Sequence, residues 1–168
     1  VFGPHLSPAE RPATADSWAA FGAGFAEAAK PLQDAGLLVG WHNHDFEFQP
    51  IEGELPIDLM LSASETLLVE FDVAWCVKAG ADPLAWIAAQ GDRIAAAHVK
   101  DIAPAGAALD EDGWADVGQG VMDWPALMAA LQGTPCRWFI AEHDNPSDVQ
   151  RFATRSLAAM QGLQGGAA

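Results

Sequence analysis

Two imidazoles and two carboxylates stand close together within residues 37–48, LLVGWHNHDFEF. His42 and His44 are two positions apart, and Asp45 and Glu47 follow them. The apolar run at the start of the segment predicts a buried strand, and the polar side chains after it add nothing to burial. Such groups are costly in a core unless they are paired or bound to a metal. The segment therefore predicts a strand with a metal or catalytic cluster at its carboxyl end.

Three further apolar runs, at 67–71, 94–99 and 137–141, also carry polar groups at their ends. The four strand ends together hold His42, His44, Glu47, Asp72, His98, Lys100, Glu142 and Asp144. One strand that ends in an acidic residue does not indicate a site, whereas four successive strands that end in polar functional groups indicate a shared site. Aspartate, histidine and glutamate from separate strands can converge on Mn²⁺, Mg²⁺, Co²⁺ or Zn²⁺. Because the set lacks thiolates, a structural zinc site is disfavoured.

The strands need helices between them if their ends are to meet. Apolar residues at helical spacing predict a first helix that is capped by Asp16 or Ser17 and ends near residue 35. Further helices are predicted at 57–62, from the cap Asp82 to residue 90, from Asp123 to residue 131, and from the cap Ser147 to about residue 163. Alternating strands and helices predict an α/β protein with four βα units in a parallel sheet. In such sheets, sites are built at the carboxyl ends of the strands.

Composition restricts the class of protein. The chain has 168 residues, of which 51% are hydrophobic, which suits one domain with a core. Its net charge of −15 argues against nucleic acid as a partner, and no apolar run is long enough to span a bilayer. The first residues lack the pattern of a signal peptide. Cys76 and Cys136 form no disulfide framework; one disulfide is an alternative, but we expect reduced, buried thiols in a cytoplasmic protein.

Five segments together resemble the sugar phosphate isomerase/epimerase family: HNHDFEF, VEFDVAWCVKAGADP, GDRIAAAHVKDI, DVGQGVMDWPAL and WFIAEHDNP. The similarity runs from about residue 15 to the last helix, with the motifs in the family's order. It implies the xylose isomerase-like TIM barrel, a fold shared by ketose epimerases, inosose dehydratases and relatives that act on oxidised glycosides. In this family, Glu, Asp, His and Glu at the ends of strands five to eight hold a divalent metal, often manganese.

The resemblance implies metal ligands at Asp72, His98 and Glu142. The strand-five ligand is usually Glu, and the matching position is His42, although His44 or Glu47 can take that place instead. Many relatives have a histidine where this chain has Trp75, which cannot act as an acid or base and is expected to wall the sugar pocket. The two glycines of DVGQG would either let the backbone approach a substrate or form a plain turn.

The resemblance also shows that the chain is short. An eight-stranded barrel needs about 200 residues or more, whereas four βα units correspond to its second half. We therefore expect residues 1–168 to be the C-terminal part of a single TIM-barrel domain. An open half barrel exposes a sheet edge and an apolar inner face. This predicts association, either with a second copy or with a missing barrel half.

The implied reaction is isomerisation or epimerisation of a sugar or keto-sugar. The metal polarises a carbonyl and stabilises the enediolate that forms when the neighbouring proton leaves. Loss of a β-hydroxyl or glycosyl group after the same step gives a dehydratase or lyase of the inosose or 3-keto-glycoside type. A non-catalytic barrel half is a further alternative. The charge disfavours an endonuclease-like relative.

Individual roles follow from this chemistry. Glu142 or Glu47 would remove the proton, and His44 is a candidate acid for the leaving group. Lys100 would neutralise an enolate or a phosphate, or would form a salt bridge in which Glu70 is one candidate partner. Asp144 is preferred over His143 as the neighbour of Glu142, and we expect it at the substrate.

Overall fold

The computed structural model describes residues 1–3 and 6–165. Its strands are Gly40–His42 (β1), Leu68–Asp72 (β2), Ile94–Val99 (β3), Asp101–Ile102 (β4), Trp114–Ala115 (β5) and Trp138–Ala141 (β6). A four-stranded sheet has the order β1-β2-β3-β6, and all its pairs are parallel. The short strands β4 and β5 form a separate antiparallel pair. The predicted α/β class and the four parallel βα units of a partial TIM barrel are confirmed.

Six α-helices accompany the strands in the described part of the chain. They are Ala15–Asp34 (α1), Pro56–Ser62 (α2), Val73–Lys78 (α3), Pro83–Gln90 (α4), Trp124–Gln132 (α5) and Val149–Gly165 (α6). Single 3₁₀ turns lie at Phe46–Phe48, Gly91–Arg93 and Leu109–Glu111. Across residues 1–3 and 6–165, no helix has both the length and the apolarity that crossing a bilayer would require.

Two predicted helix caps are confirmed and two are corrected. Asp82 and Asp123 accept hydrogen bonds from the first backbone N–H groups of α4 and α5. The cap of α1 is Thr14, because Thr14 and Ser17 exchange side-chain and backbone hydrogen bonds in a capping box. At α6, Asp148 accepts the backbone N–H of Arg151, one residue after the predicted cap.

The strand at residues 37–41 was predicted too early in the chain. Leu37 and Leu38 are 46% and 45% exposed and precede β1, which includes His42. The second strand likewise extends one residue further and includes Asp72. Helix α3 was not predicted, since it has only six residues and begins where Asp72 both ends a strand and caps a helix.

The outer face of the sheet packs against the helices. Val69, Phe71 and Val99 are fully buried there, and the Phe71 ring lies 4.6 Å from the ring of Trp86 in α4. Trp41 of β1 meets Phe21 of α1 edge to face at 5.5 Å. These contacts form the core that holds the strands in register. Cys76 and Cys136 are both free, as predicted, although Cys136 is only half-buried.

The loop that contains DVGQG is built around a buried carboxylate. Asp101 accepts hydrogen bonds from the backbone N–H groups of Ile102, Gly118, Gly120 and Met122. A Cβ atom on Gly120 would collide with the Asp101 carboxylate and with the Ile102 carbonyl. The glycine therefore allows the backbone to approach Asp101, and the turn interpretation explains the motif.

Candidate functional site

Three of the predicted ligands meet at the carboxyl ends of β2, β3 and β6. Asp72 pairs with His98 in register, and Glu142 follows the last residue of β6. His98 Nδ1 lies 2.6 Å from Glu142 Oε2 and 3.7 Å from Asp72 Oδ2. One donor atom from each residue falls within 4.8 Å of the others, as binding of a single metal ion requires.

The surroundings of Asp72 fit a cation. Asn43 clamps its backbone, since the Asn43 side chain accepts the Asp72 N–H at 2.9 Å and donates to the Asp72 carbonyl at 3.1 Å. Asp72 Oδ1 accepts the N–H of Trp75 and so caps α3. Asp72 Oδ2 is buried and has no hydrogen-bond partner among the described residues. Lys100 Nζ and His98 Nδ1 each lie 3.7 Å from this oxygen, beyond hydrogen-bond distance, so a metal ion bound next to it would further offset the cost of its burial.

A second group shares His98 with the first. His42, Glu70 and His98 also bring one donor atom each within 4.8 Å of the others. His98 Nε2 lies 3.0 Å from Glu70 Oε1, and His42 Nδ1 lies 3.4 Å from the same oxygen. The sequence placed His42 in one ligand set with Asp72, His98 and Glu142, whereas its ion-pair contact is with Glu70. Glu70 was considered only as a partner of Lys100.

Burial and the neighbouring charges strongly shift the pKa values of the ionisable groups in the cluster. Burial raises the pKa of Asp72 to about 7, against the opposing effects of Lys100 and of the Trp75 N–H. Burial alone would lower the pKa of His98, but hydrogen bonds to Glu142 and Glu70 raise it to about 9. Without a metal, His98 is therefore an imidazolium between carboxylates at neutral pH.

The pKa values of Glu142 and His42 are also shifted by burial and by the charges of the cluster. Burial opposes ionisation of Glu142, yet the hydrogen bond and charge of His98, followed by Lys100, lower the pKa of Glu142 to about 2. Burial and then the charges of His98 and His44 lower the pKa of His42 to about 4. His42 is thus neutral at pH 7, the form in which imidazole binds a metal.

Lys100 is fully buried and neutralises the acidic groups around it. Its Nζ lies 2.6 Å from Asp144 Oδ1, 3.3 Å from Glu142 Oε2 and 3.7 Å from Asp72 Oδ2. It also sits 4.1 Å from the ring centroid of Trp114. The structure thus places Lys100 and Asp144 next to the predicted ligands, whereas His143 faces Glu111.

Glu47 belongs to neither candidate ligand group, and its hydrogen bonds shape the loop after β1. Its Oε1 accepts the indole N–H of Trp41 at 2.8 Å, and its Oε2 accepts the backbone N–H of His44 at 2.8 Å. The side chain is fully buried, and burial raises its pKa to about 7. These bonds fix the loop that carries His44, whose ring lies 4.9 Å from the ring of His42.

Aromatic rings and a second lysine border the cluster. Trp75 contacts His44 at 5.7 Å and Trp114 at 4.9 Å between ring centroids. Lys78 Nζ lies 3.3 Å from the Trp114 centroid. Sequence reasoning assigned no site role to Trp114, Lys78 or Asn43. Only the position of Asn43 between His42 and His44 could have indicated its role, because a buried side-chain amide needs hydrogen-bond partners.

Comparison with known families supports the fold. The family model of the xylose isomerase-like TIM barrel matches residues 1–164. A comparison with curated proteins finds no match. Among solved structures, a sugar phosphate isomerase/epimerase from Parabacteroides distasonis is similar, with a TM-score of 0.77 and 22% identity. The alignment covers 94% of this chain and 55% of that chain.

Two more solved structures are similar at lower identity. The probable 3-DHS dehydratase AsbF from Bacillus anthracis has a TM-score of 0.68 and 14% identity, over 87% of this chain and 57% of that one. The IOLI protein, solved with a binding zinc atom, has a TM-score of 0.64 and 15% identity, over 97% and 59%. This chain therefore spans little more than half the length of these structures. Their similarity concerns the fold.

Proposed function

Because the chain belongs to the xylose isomerase-like TIM-barrel family, we propose that it carries the site of a divalent-metal-dependent sugar isomerase or epimerase. The reaction is proton abstraction next to the carbonyl of a sugar or keto-sugar, through an enediolate. One observation carries the proposal: Asp72, His98 and Glu142 converge from three neighbouring strands to within 4.8 Å of one another. The sugar phosphate isomerase/epimerase of similar fold supports the substrate class.

Asp72, His98 and Glu142 would hold the ion. Two carboxylates and an imidazole suit manganese, which we propose first, and also magnesium, cobalt and zinc. When bound, the ion supplies Lewis-acid polarisation of the substrate carbonyl. Of the candidates for a further ligand, we prefer His42, whose ring centroid lies 4.4 Å from that of His98. Both oxygens of Glu47 already accept hydrogen bonds.

Glu142 is the proposed base. Its side chain is 33% exposed, so it is the most accessible of the three ligands, and it is ionised at neutral pH. Its pKa is low because of the hydrogen bond and charge of His98, followed by Lys100. Lys100 would balance the negative charge that develops on the substrate. Its ammonium is held in place by Asp144 and faces the same cluster.

His44 and Trp75 would border the substrate. The loop that carries His44 is held by Glu47, and the His44 ring lies 5.7 Å from that of Trp75. Trp75 then serves as the wall of the sugar pocket, and His44 is placed as the acid for a leaving group. That role would be used in a dehydratase or lyase, which shares the first proton transfer. The probable dehydratase of similar fold favours this second candidate reaction.

The inner face of the sheet needs a cover before a substrate can be enclosed. Trp138 and Ile140 on that face are 49% and 38% exposed. Parallel sheets are normally buried on both faces. We propose that four further βα units cover this face, from a second copy or from the remaining half of the barrel, in a cytoplasmic protein. If the covered site converts no substrate, the alternative is that the chain is a non-catalytic half of a barrel.

The first proton transfer can be tested without knowing the substrate. The chain is incubated with Mn²⁺ and a panel of ketoses and 3-keto-glycosides in deuterated water, and proton NMR follows the carbon next to each carbonyl. We expect loss of one proton signal in at least one compound, because every candidate reaction begins there. The signal should persist with Glu142→Gln, which cannot accept the proton.

Asp58→Asn is the matched control. Asp58 is a half-buried carboxylate that accepts hydrogen bonds from Trp86 and Gln90, outside both candidate ligand groups. This variant should exchange deuterium at the wild-type rate. Metal binding without exchange in any compound would instead favour the non-catalytic barrel half.

A further inference from the structure

The two ring nitrogens of His98 face two different carboxylate groups. Nδ1 points to Glu142 and Asp72, at 2.6 Å and 3.7 Å, whereas Nε2 lies 3.0 Å from Glu70 Oε1. A neutral imidazole carries one proton, so only one nitrogen can bind a metal while the other donates a hydrogen bond. The partner of the donating nitrogen thus decides which of the two groups can take the ion.

Glu70 is built into the sheet beneath His98. It lies in the middle of β2, in register with His42 on β1 and with Ala96 on β3. Ala96 carries only a methyl group, which leaves room for the Glu70 side chain to reach the ring two residues further along β3. The side chain is 14% exposed, so its bond to His98 is largely shielded from water.

The two candidate ligand groups differ in whether a carboxylate oxygen still lacks a hydrogen-bond partner. Glu70 Oε1 already faces His98 Nε2 at hydrogen-bond distance, whereas Asp72 Oδ2 is buried and has no hydrogen-bond partner in the described parts of the chain. An ion bound through Nε2, between His42 and Glu70, would leave the Asp72 oxygen without a hydrogen bond, with the Lys100 ammonium 3.7 Å away as its counter-charge. An ion bound through Nδ1 would satisfy it and would leave the bond to Glu70 intact.

We infer that Glu70 is a positioning residue, which accepts the Nε2–H of His98 and so presents Nδ1 to an ion held with Asp72 and Glu142. The inference rests on the proposed metal site and deepens it. Carboxylates that receive the second N–H of a metal-binding histidine fix both its tautomer and its ring orientation. Glu70 therefore controls the affinity of the site without touching the ion.

Zinc titration of three variants tests this role. In Glu70→Leu no acceptor remains for Nε2–H, and we expect a Zn²⁺ affinity about 10- to 100-fold below wild type. Glu70→Gln keeps an acceptor oxygen and should recover part of that loss. Asp58→Asn, the matched control, should bind zinc like wild type. Thermal unfolding of each metal-free variant shows whether it is folded. If Glu70→Leu is not folded, the comparison of Glu70→Gln with wild type still tests the role of Glu70.

The tautomer is read directly from nitrogen NMR of ¹⁵N-histidine-labelled chain loaded with zinc. We expect wild-type His98 to bind zinc through Nδ1 and to carry its proton on Nε2, and the leucine variant to lose that hydrogen-bonded proton signal. Zinc on Nε2 in the wild type, equal affinities in all variants, or no zinc binding at all would overturn the inference. Neither readout depends on turnover, so Glu70-dependent zinc binding supports the inference whether or not the chain turns over a substrate.

Discussion

The two faces of the parallel sheet differ in what their side chains meet. On the outer face, Val69, Phe71 and Val99 are completely buried against helices. On the inner face, Trp138 and Ile140 remain 49% and 38% exposed, and the strand ends carry ionisable groups. The outer face therefore supplies the burial that folds the chain. The inner face contributes less to folding and leaves its strand ends for chemistry.

Truncating one side chain on each face gives the largest expected contrast. Phe71→Ala should lower the free energy of unfolding by about 3–5 kcal/mol, because it leaves a cavity in the packed outer layer. Ile140→Ala should cost less than about 1 kcal/mol, since its side chain already contacts water. Urea denaturation of both variants measures the difference. Similar losses at the two positions would show that the inner face is as well covered as the outer one.

A buried acid on the outer side gives a smaller, pH-dependent effect. Glu47 bonds to Trp41, and burial raises its pKa from 4.5 to about 7. Between these values the folded chain binds more protons than the unfolded chain, so stability falls as pH rises through the window. The loss reaches about 3 kcal/mol at pH 7, at 1.36 kcal/mol per pKa unit.

Glu47→Gln isolates this contribution, because glutamine does not titrate. The free energy of unfolding, measured in urea from pH 4.5 to 7.5, should decline less steeply in the variant than in the wild type. Identical pH profiles would mean that water reaches Glu47 and that the outer layer is less dry than its packing indicates. Both proteins share the other titrating groups, including Asp72 and His98, so the difference between the profiles belongs to Glu47.

Much of the fold could be predicted from the sequence because its signals are local. Apolar runs mark the strands, and Asp82 and Asp123 mark two helix starts. The first strand was predicted too early because Leu37 and Leu38 are apolar but nearly half exposed, and they precede the strand. Hydrophobicity reports a tendency to be buried, and it cannot report whether a cover is present.

The convergence of the candidate ligands could be predicted from the sequence, but their pairings could not. Asp72, His98 and Glu142 follow from strand ends and from the family resemblance. The partners of Lys100 and His42 depend on how far neighbouring strands are staggered, and the pairing of β2 with β3 shifts between Val69 and Glu70. No local pattern encodes that irregularity. The bond of Glu47 to Trp41 could not be predicted, because it forms only after the chain turns back at residues 46–48.

The most direct test of the central claim is the number of divalent ions that the purified chain binds. Calorimetric titration with Mn²⁺ should give one ion per chain for the wild type. Binding should be lost in Asp72→Asn and in His98→Ala, because each removes one of three convergent donors, and retained in Asp58→Asn. Binding that survives both ligand variants, or no binding in the wild type, would contradict the claim that these strand ends form a metal site.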